Sequence, residues 1–157
     1  MFGVYLLLIV VIHVITHQGA AHQCRVQVNG CSIPGNLPFL YKKKFTPACN
    51  KHDVCYSCGQ YYHWSRQSCD ISFQNDMYHL CTLPRNKGFV FEILNGAKKV
   101  LKTKEEAHCR TIAYLYYKAV DLLGRDRYNY ISPGWCQDPC VEKIGSPNRR
   151  IGYSENN

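Results

Sequence analysis

Between Thr46 and Gly59 the chain reads Thr-Pro-Ala-Cys-Asn-Lys-His-Asp-Val-Cys-Tyr-Ser-Cys-Gly, which packs three cysteines, one histidine and one aspartate into fourteen residues. Cysteines this dense must be cross-linked or bind metal, and either outcome fixes the local backbone. Thr46 suits an N-cap and Pro47 the first helical position, where a missing N–H costs nothing, so a helix is expected from Pro47 to about Tyr62. At 3.6 residues per turn, His52 then shares a face with Ala48, Cys49, Cys55, Tyr56 and Gly59, while Asp53 projects about 100° away. A base and a carboxylate leave the same turn in different directions.

Ten cysteines in 157 residues fit an oxidised secreted protein or a reduced metal binder, and the N-terminus decides between them. Val4 to Ile15 is apolar except for His13, and Gly19-Ala20-Ala21 supplies small residues for cleavage. That pattern predicts a signal peptide over residues 1–21, although the usual Lys or Arg at its start is missing. The apolar run is too short for a comfortable membrane span. The mature protein is expected to be soluble and extracellular, with its thiols paired. Cys49-x-x-His52 with Cys55-x-x-Cys58 also has the spacing of a structural zinc site, but oxidising conditions consume the thiolates that zinc requires. Residues 1–21 carry no Asp, Glu, Lys or Arg, so the remainder keeps the full formal charge of +8. In a secreted protein that charge suggests anionic lipid surfaces or acidic polymers before nucleic acid.

The rest of the chain reads as one domain over residues 22–145, with a flexible tail at 146–157. His22 to Phe45 is loop-like, punctuated by Asn29-Gly30, Pro34-Gly35 and Pro38 and tethered by Cys24 and Cys31. A loop so stapled is suited to presenting backbone carbonyls in a fixed direction. Ser65 should cap a second helix running to about Leu80 or Cys81, with Pro84 beyond its end. On it, Cys69, Phe73, Met77 and Leu80 form an apolar stripe flanked on opposite edges by Asp70 and Asp76. Periodicity nominates both carboxylates and cannot choose between them. Residues 82–104 are basic and cysteine-free. They read either as a hairpin, since 89–94 is apolar and β-prone, or as a processed connector cut near Lys98-Lys99. Thr103-Lys104-Glu105-Glu106 matches a capping box and Gly124 a terminating glycine, which predicts a third helix with Ile112, Leu115, Tyr116, Ala119 and Leu123 facing a core. From Arg125 onward a loop-like tail is stapled by Cys136 and Cys140 and frays after Lys143.

These residues, taken together, resemble the secreted phospholipases A2. Cys49-x-x-His52-Asp53-x-Cys55-Tyr56 is similar to the active-site helix of that family. The wider match, over roughly residues 29 to 124, is to the small prokaryotic and fungal type: Asn29-Gly30-Cys31 before a Pro-rich loop, Pro-Ala-Cys-x-x-His-Asp, then Asp70-x-x-Phe73-x-x-Asp76-Met77, and the Cys109 helix with Tyr116-Tyr117-Lys118-Ala119-Val120. The cysteine excess and basic connector look most like conodipines, two-chain phospholipases of cone-snail venom.

The resemblance implies a mainly α, disulfide-rich fold with two antiparallel catalytic helices, a calcium loop and a third packing helix. It implies calcium-dependent hydrolysis of the sn-2 ester of glycerophospholipids at a membrane surface. His52 would be the general base and Asp70 the carboxylate behind it, with Asp76 left to a structural role at the helix surface. Asp53, Asn29 and Gly30 would hold Ca²⁺. The prokaryotic members carry an aspartate where this chain has Asn29, so the site loses a negative charge and binding near 10⁻⁴ to 10⁻³ M is expected. Tyr56 would either support Asp70 or serve as a core aromatic. Lys42-Lys43-Lys44 would meet anionic headgroups or form a solvated face, and Tyr61, Tyr62 and Trp64 would enter the membrane interface or pack on the third helix. Resemblance also suggests the pairs Cys31–Cys49 and Cys81–Cys109, with Cys55–Cys69 preferred among the rest because it would join the catalytic helices. The competing function is a phospholipase-like toxin with weak catalysis that binds a receptor or channel.

Overall fold

The computed structural model describes residues 24–32, 40–83, 95–128 and 131–152, with residues 95–103 described by their backbone alone. The expected signal peptide and the apolar segment 89–94 lie outside the described residues. The architecture is helical: α1 spans Lys42–Tyr62, α2 Arg66–Thr82, α3 Asn95–Leu123 and α4 Pro139–Gly145, with short 3₁₀ turns at Arg125–Arg127 and Gly134–Gln137. Among the described residues there is no strand. Nor, among the described residues, is any helix long and apolar enough to cross a membrane.

Helix α1 begins one turn earlier than its local signals suggest. Thr46 and Pro47 lie inside it, and Thr46 Oγ1 donates back to the Lys42 carbonyl at 2.9 Å rather than capping. Pro47 deprives only the Lys43 carbonyl of a helical donor, and Lys43 is exposed to water. In return the added turn carries Phe45 to full burial against Tyr116, ring centroids 5.4 Å apart. Burying a phenyl ring contributes about 1.5–3 kcal/mol, so tertiary packing overrides the local start signal.

Helix α2 starts where the sequence indicates. Ser65 accepts the Ser68 N–H at 3.1 Å, and Cys69, Phe73 and Met77 are buried on its inner face. Contacts between α1 and α2 run in opposite order, Cys55 with Cys69, His52 with Asp70 and Lys51 with Asp76, so the two helices are antiparallel.

Helix α3 departs from expectation at both ends. Its backbone is already helical at Asn95, so the Thr103 capping box lies within it. The Cys81–Cys109 disulfide sets its rotation, and the positions that share a face with Cys109 are Ala113, Tyr116 and Val120. Leu115, about 120° off that face, is 57% exposed, and Leu123 at the helix end is 56% exposed. Gly124 does not take the left-handed conformation, its φ being −78°. It is needed for space, because a Cβ there would lie 2.5 Å from the Tyr56 hydroxyl and collide with the Val120 carbonyl.

The segment after α3 is more ordered than its loop-like composition suggests. Asp138 caps α4 by accepting the Cys140 N–H at 3.0 Å, with Pro139 following at the first helical position. Cys24–Cys140 and Cys58–Cys136 fasten this end, and Val141 packs on Val54 in a second core with Trp64 and Trp135. Trp64 stacks on Tyr62 at 4.4 Å and 12°, so this aromatic pair packs with α4 and its neighbours rather than on α3. Beyond α4, Ile151 N–H reaches Asp76 at 3.3 Å. Every cysteine is paired: Cys31–Cys49 and Cys81–Cys109 are the pairs that the family resemblance suggests, and Cys55–Cys69 is the one preferred because it joins the two helices.

Candidate active site

The α1–α2 pair places one imidazole between a buried carboxylate and the surface. His52 is 8% exposed, and its Nε2 lies 2.9 Å from Asp70 Oδ1. The ring is flanked by Tyr56 at 4.1 Å and Phe73 at 4.6 Å between centroids. Both contacts follow from helical spacing, since Tyr56 is one turn beyond His52 and Phe73 one turn beyond Cys69, which is tied to Cys55. A carboxylate accepting from Nε2 fixes the proton on that nitrogen and leaves the Nδ1 lone pair available. Among the described residues, Nδ1 makes no hydrogen bond.

Asp70 is itself held by three donors. Its Oδ1 accepts the Tyr56 hydroxyl at 2.6 Å as well as the imidazole, and its Oδ2 accepts Arg66 Nη1 at 3.1 Å. Tyr56 therefore belongs to the Asp70 network while also filling the core. Burial and, secondly, the Asp70 carboxylate push its phenol far above the ordinary range, so it stays a donor. Sequence reasoning misses Arg66, although its i, i+4 spacing to Asp70 is a signal that could find it.

Asp76 takes a different partner. It is buried, at 2% exposure, rather than pairing on the helix surface as expected, and it meets Lys51 Nζ at 2.7 Å. Lys51 also donates to Ser72 Oγ at 2.8 Å and to the Arg149 carbonyl. The choice between two aspartates that periodicity leaves open is settled by where His52 points.

On the other side of the same turn, Asp53 meets the loop. The Cys31–Cys49 disulfide clamps residues 29–31 against α1, with Cα atoms 5.1 Å apart. Gly30 has φ +69°, a left-handed conformation natural to glycine. The Asn29 N–H reaches Asp53 Oδ2 at 2.9 Å. Burial pushes the Asp53 carboxyl up, against the Asn29 N–H, the charge of His52 and the Gly30 N–H, which pull it down. The tip of the Asn29 amide lies 3.1 Å from Ser32 Oγ and 3.2 Å from both the Gly30 carbonyl and Asp53 Oδ2. With its NH₂ turned inward it can donate to these oxygens. With its oxygen inward, three hard oxygen donors from Asn29, Gly30 and Asp53 converge around a partly desolvated carboxylate, which is a donor set that fits Ca²⁺. The zinc spacing is unavailable, because Cys49, Cys55 and Cys58 all form disulfides.

Sequence comparison bears on this arrangement. No protein-family model matches the chain, and no solved structure does. Against the Conodipine-M alpha chain of Conus magus it is 39% identical over 62 residues, which are 39% of this chain and 78% of that one. The chain belongs to the conodipine family. Conodipine-P3 and Conodipine-P2 of Conus purpurascens are each 47% identical over 58 residues, covering 37% of this chain. That match spans about a third of the relatives' own length, 32% in each case.

Proposed function

We propose that this conodipine-family chain is a secreted phospholipase A2 of venom that hydrolyses the sn-2 ester of glycerophospholipids with Ca²⁺. The observation that carries the reading is the imidazole whose Nε2 is committed to buried Asp70 at 2.9 Å, leaving Nδ1 to act as a base. Family membership and the oxidised cysteines support secretion, and the excess of positive charge suits a peripheral membrane partner rather than an integral one.

His52 Nδ1 takes a proton from water as that water's oxygen adds to the sn-2 carbonyl carbon. Asp70 balances the imidazolium that forms, and the Tyr56 and Arg66 hydrogen bonds keep Asp70 in place. When the tetrahedral adduct collapses, the bond to the glycerol oxygen breaks. The proton on Nδ1 passes to that oxygen, giving a lysophospholipid and a fatty acid. Asp53, Asn29 and Gly30 would hold Ca²⁺, which when bound supplies a Lewis acid for the ester oxygen and a counter-charge for the phosphate. Asp53 and His52 are consecutive on α1, so base and cation site share one rigid turn.

The test is release of fatty acid from sn-2-labelled phosphatidylcholine vesicles, with and without EGTA, beside His52→Gln. Calcium-dependent release that disappears in the variant is expected. No release at about 10 mM Ca²⁺, tenfold above the weak end of extracellular sites, would overturn the reading and favour a toxin that acts by binding.

A further inference from the structure

The dyad is connected to a third helix through one side chain. Arg66 Nη1 points at Asp70 Oδ2 at 3.1 Å, the Asp121 carbonyl at 3.1 Å and the Val120 carbonyl at 3.4 Å. Those carbonyls belong to the last turn of α3, where a helix leaves its C=O groups without intrahelical partners. Val120 O already accepts the Gly124 N–H at 2.7 Å, so Asp121 O and Asp70 Oδ2 are the principal acceptors for the two hydrogens of Nη1. The same end of α3 presses on Tyr56, because Gly124 leaves room only for that hydroxyl. Two of the donors that hold Asp70 are thus fixed by the C-terminus of α3.

We infer that Arg66 is a positioning residue: it orients Asp70, and through Asp70 the His52 ring, by tying the carboxylate to the α3 carbonyls. Three features of its environment support this. Asp70 is 2% exposed, so an oxygen without a donor there is costly. Among the described residues, Arg66 is the sole donor to Oδ2, since His52 and Tyr56 both bond Oδ1. A guanidinium can also span a carboxylate and a helix end with a fixed planar fork, which an ammonium on a flexible stem does less well. With Arg66 present, Asp70 Oδ2 is held on the face away from the imidazole, so Oδ1 remains free to accept from Nε2. Without it the carboxylate would turn to share Oδ1 and Oδ2 among fewer donors, and the ring would lose its fixed tilt.

This inference rests on the catalytic reading for its kinetic arm alone, and a second arm is independent of activity. In Arg66→Met, kcat on phosphatidylcholine vesicles should fall about 10- to 100-fold, the scale of a small misplacement of reacting groups, with KM unchanged. Arg66→Lys, which keeps a donor and a charge, should recover part of it. In the ¹⁵N-labelled protein, the low-field imidazole N–H proton absent from His52→Gln should be sharp in the wild type. It should exchange with water at least about tenfold faster in Arg66→Met and be partly restored in Arg66→Lys, because a carboxylate that no longer holds still protects the N–H less. If wild type hydrolyses nothing, the proposed function falls while the proton measurement still decides this inference. If Arg66→Met lowers only the melting temperature, with the N–H proton and kcat unchanged, Arg66 merely caps α3 and the inference is wrong. Arg66→Lys supplies the same two measurements should Arg66→Met fail to fold: kcat and proton exchange both equal to wild type would overturn the inference.

Discussion

Asp70 and Asp76 lie on one helix, six positions apart, and each is 2% exposed. Both face α1 and meet a basic side chain there, yet the two pairs do different things. Lys51 gives its ammonium hydrogens to Asp76, Ser72 and the Arg149 carbonyl, so the pair is closed and fastens the C-terminal stretch to the helices. His52 gives one nitrogen to Asp70 and keeps the other. The difference lies in the base: an ammonium is a point charge with donors alone, whereas a neutral imidazole carries a donor and an acceptor on opposite sides of a ring. A buried carboxylate closes a network in the first case and leaves a ring nitrogen open in the second.

Substitution should separate these roles. The largest effect is expected at the open pair: His52→Gln or Asp70→Asn should lower the rate of fatty-acid release by about 10²–10⁴-fold, while circular dichroism still reports a folded protein. At the closed pair, Asp76→Ala leaves the Lys51 charge buried and unpaired, so chemical denaturation should show a loss of about 3–5 kcal/mol. The rate per folded molecule should hold. If Asp76→Ala instead abolishes catalysis in a folded protein, the assignment of the two aspartates is reversed.

Tyr56→Phe sharpens the contrast within the Asp70 network. It keeps the ring packed on His52 and removes one hydrogen bond to a charged group, worth about 1.5–3 kcal/mol. Its cost should appear in kcat, measured on the same vesicles. The smallest effect concerns Asp53, whose carboxyl is raised above 3.8 chiefly by burial. As pH rises above that value the unfolded chain ionises first, so the folded state loses stability through the interval up to the raised value and keeps that deficit at neutral pH. Asp53→Asn should therefore raise the calcium-free melting temperature at pH 7 and leave it unchanged well below 3.8. The same variant should erase the increase in melting temperature that added Ca²⁺ is expected to give the wild type.

Several elements of the fold and site are legible in the amino-acid sequence alone. Ser65 and the Cys69–Phe73–Met77 stripe set α2 because a cap and a period of 3.6 are local properties. The divergence of His52 and Asp53 needs only helical geometry. Other features depend on distant partners. The early start of α1 comes from Phe45 finding Tyr116, and the burial pattern of α3 comes from the Cys81–Cys109 tether, which leaves Leu115 exposed despite its helical spacing. Helix α4 shows the reverse oversight, since Asp138-Pro139 is a local cap signal that cysteine spacing and loop-like composition overshadow.

The sequence by itself determined that a base and a carboxylate would leave one turn of a disulfide-locked helix, and that a neighbouring helix would offer two further carboxylates. Periodicity left two carboxylates open, family resemblance pointed to Asp70, and the tertiary structure brings that one to the histidine; it alone decided that Arg66 holds Asp70 from the far side and that Gly124 serves space rather than chirality. Periodicity fixes the direction in which a side chain leaves its own helix. What it meets depends on the rotation and register of another helix, which long-range packing and disulfides set.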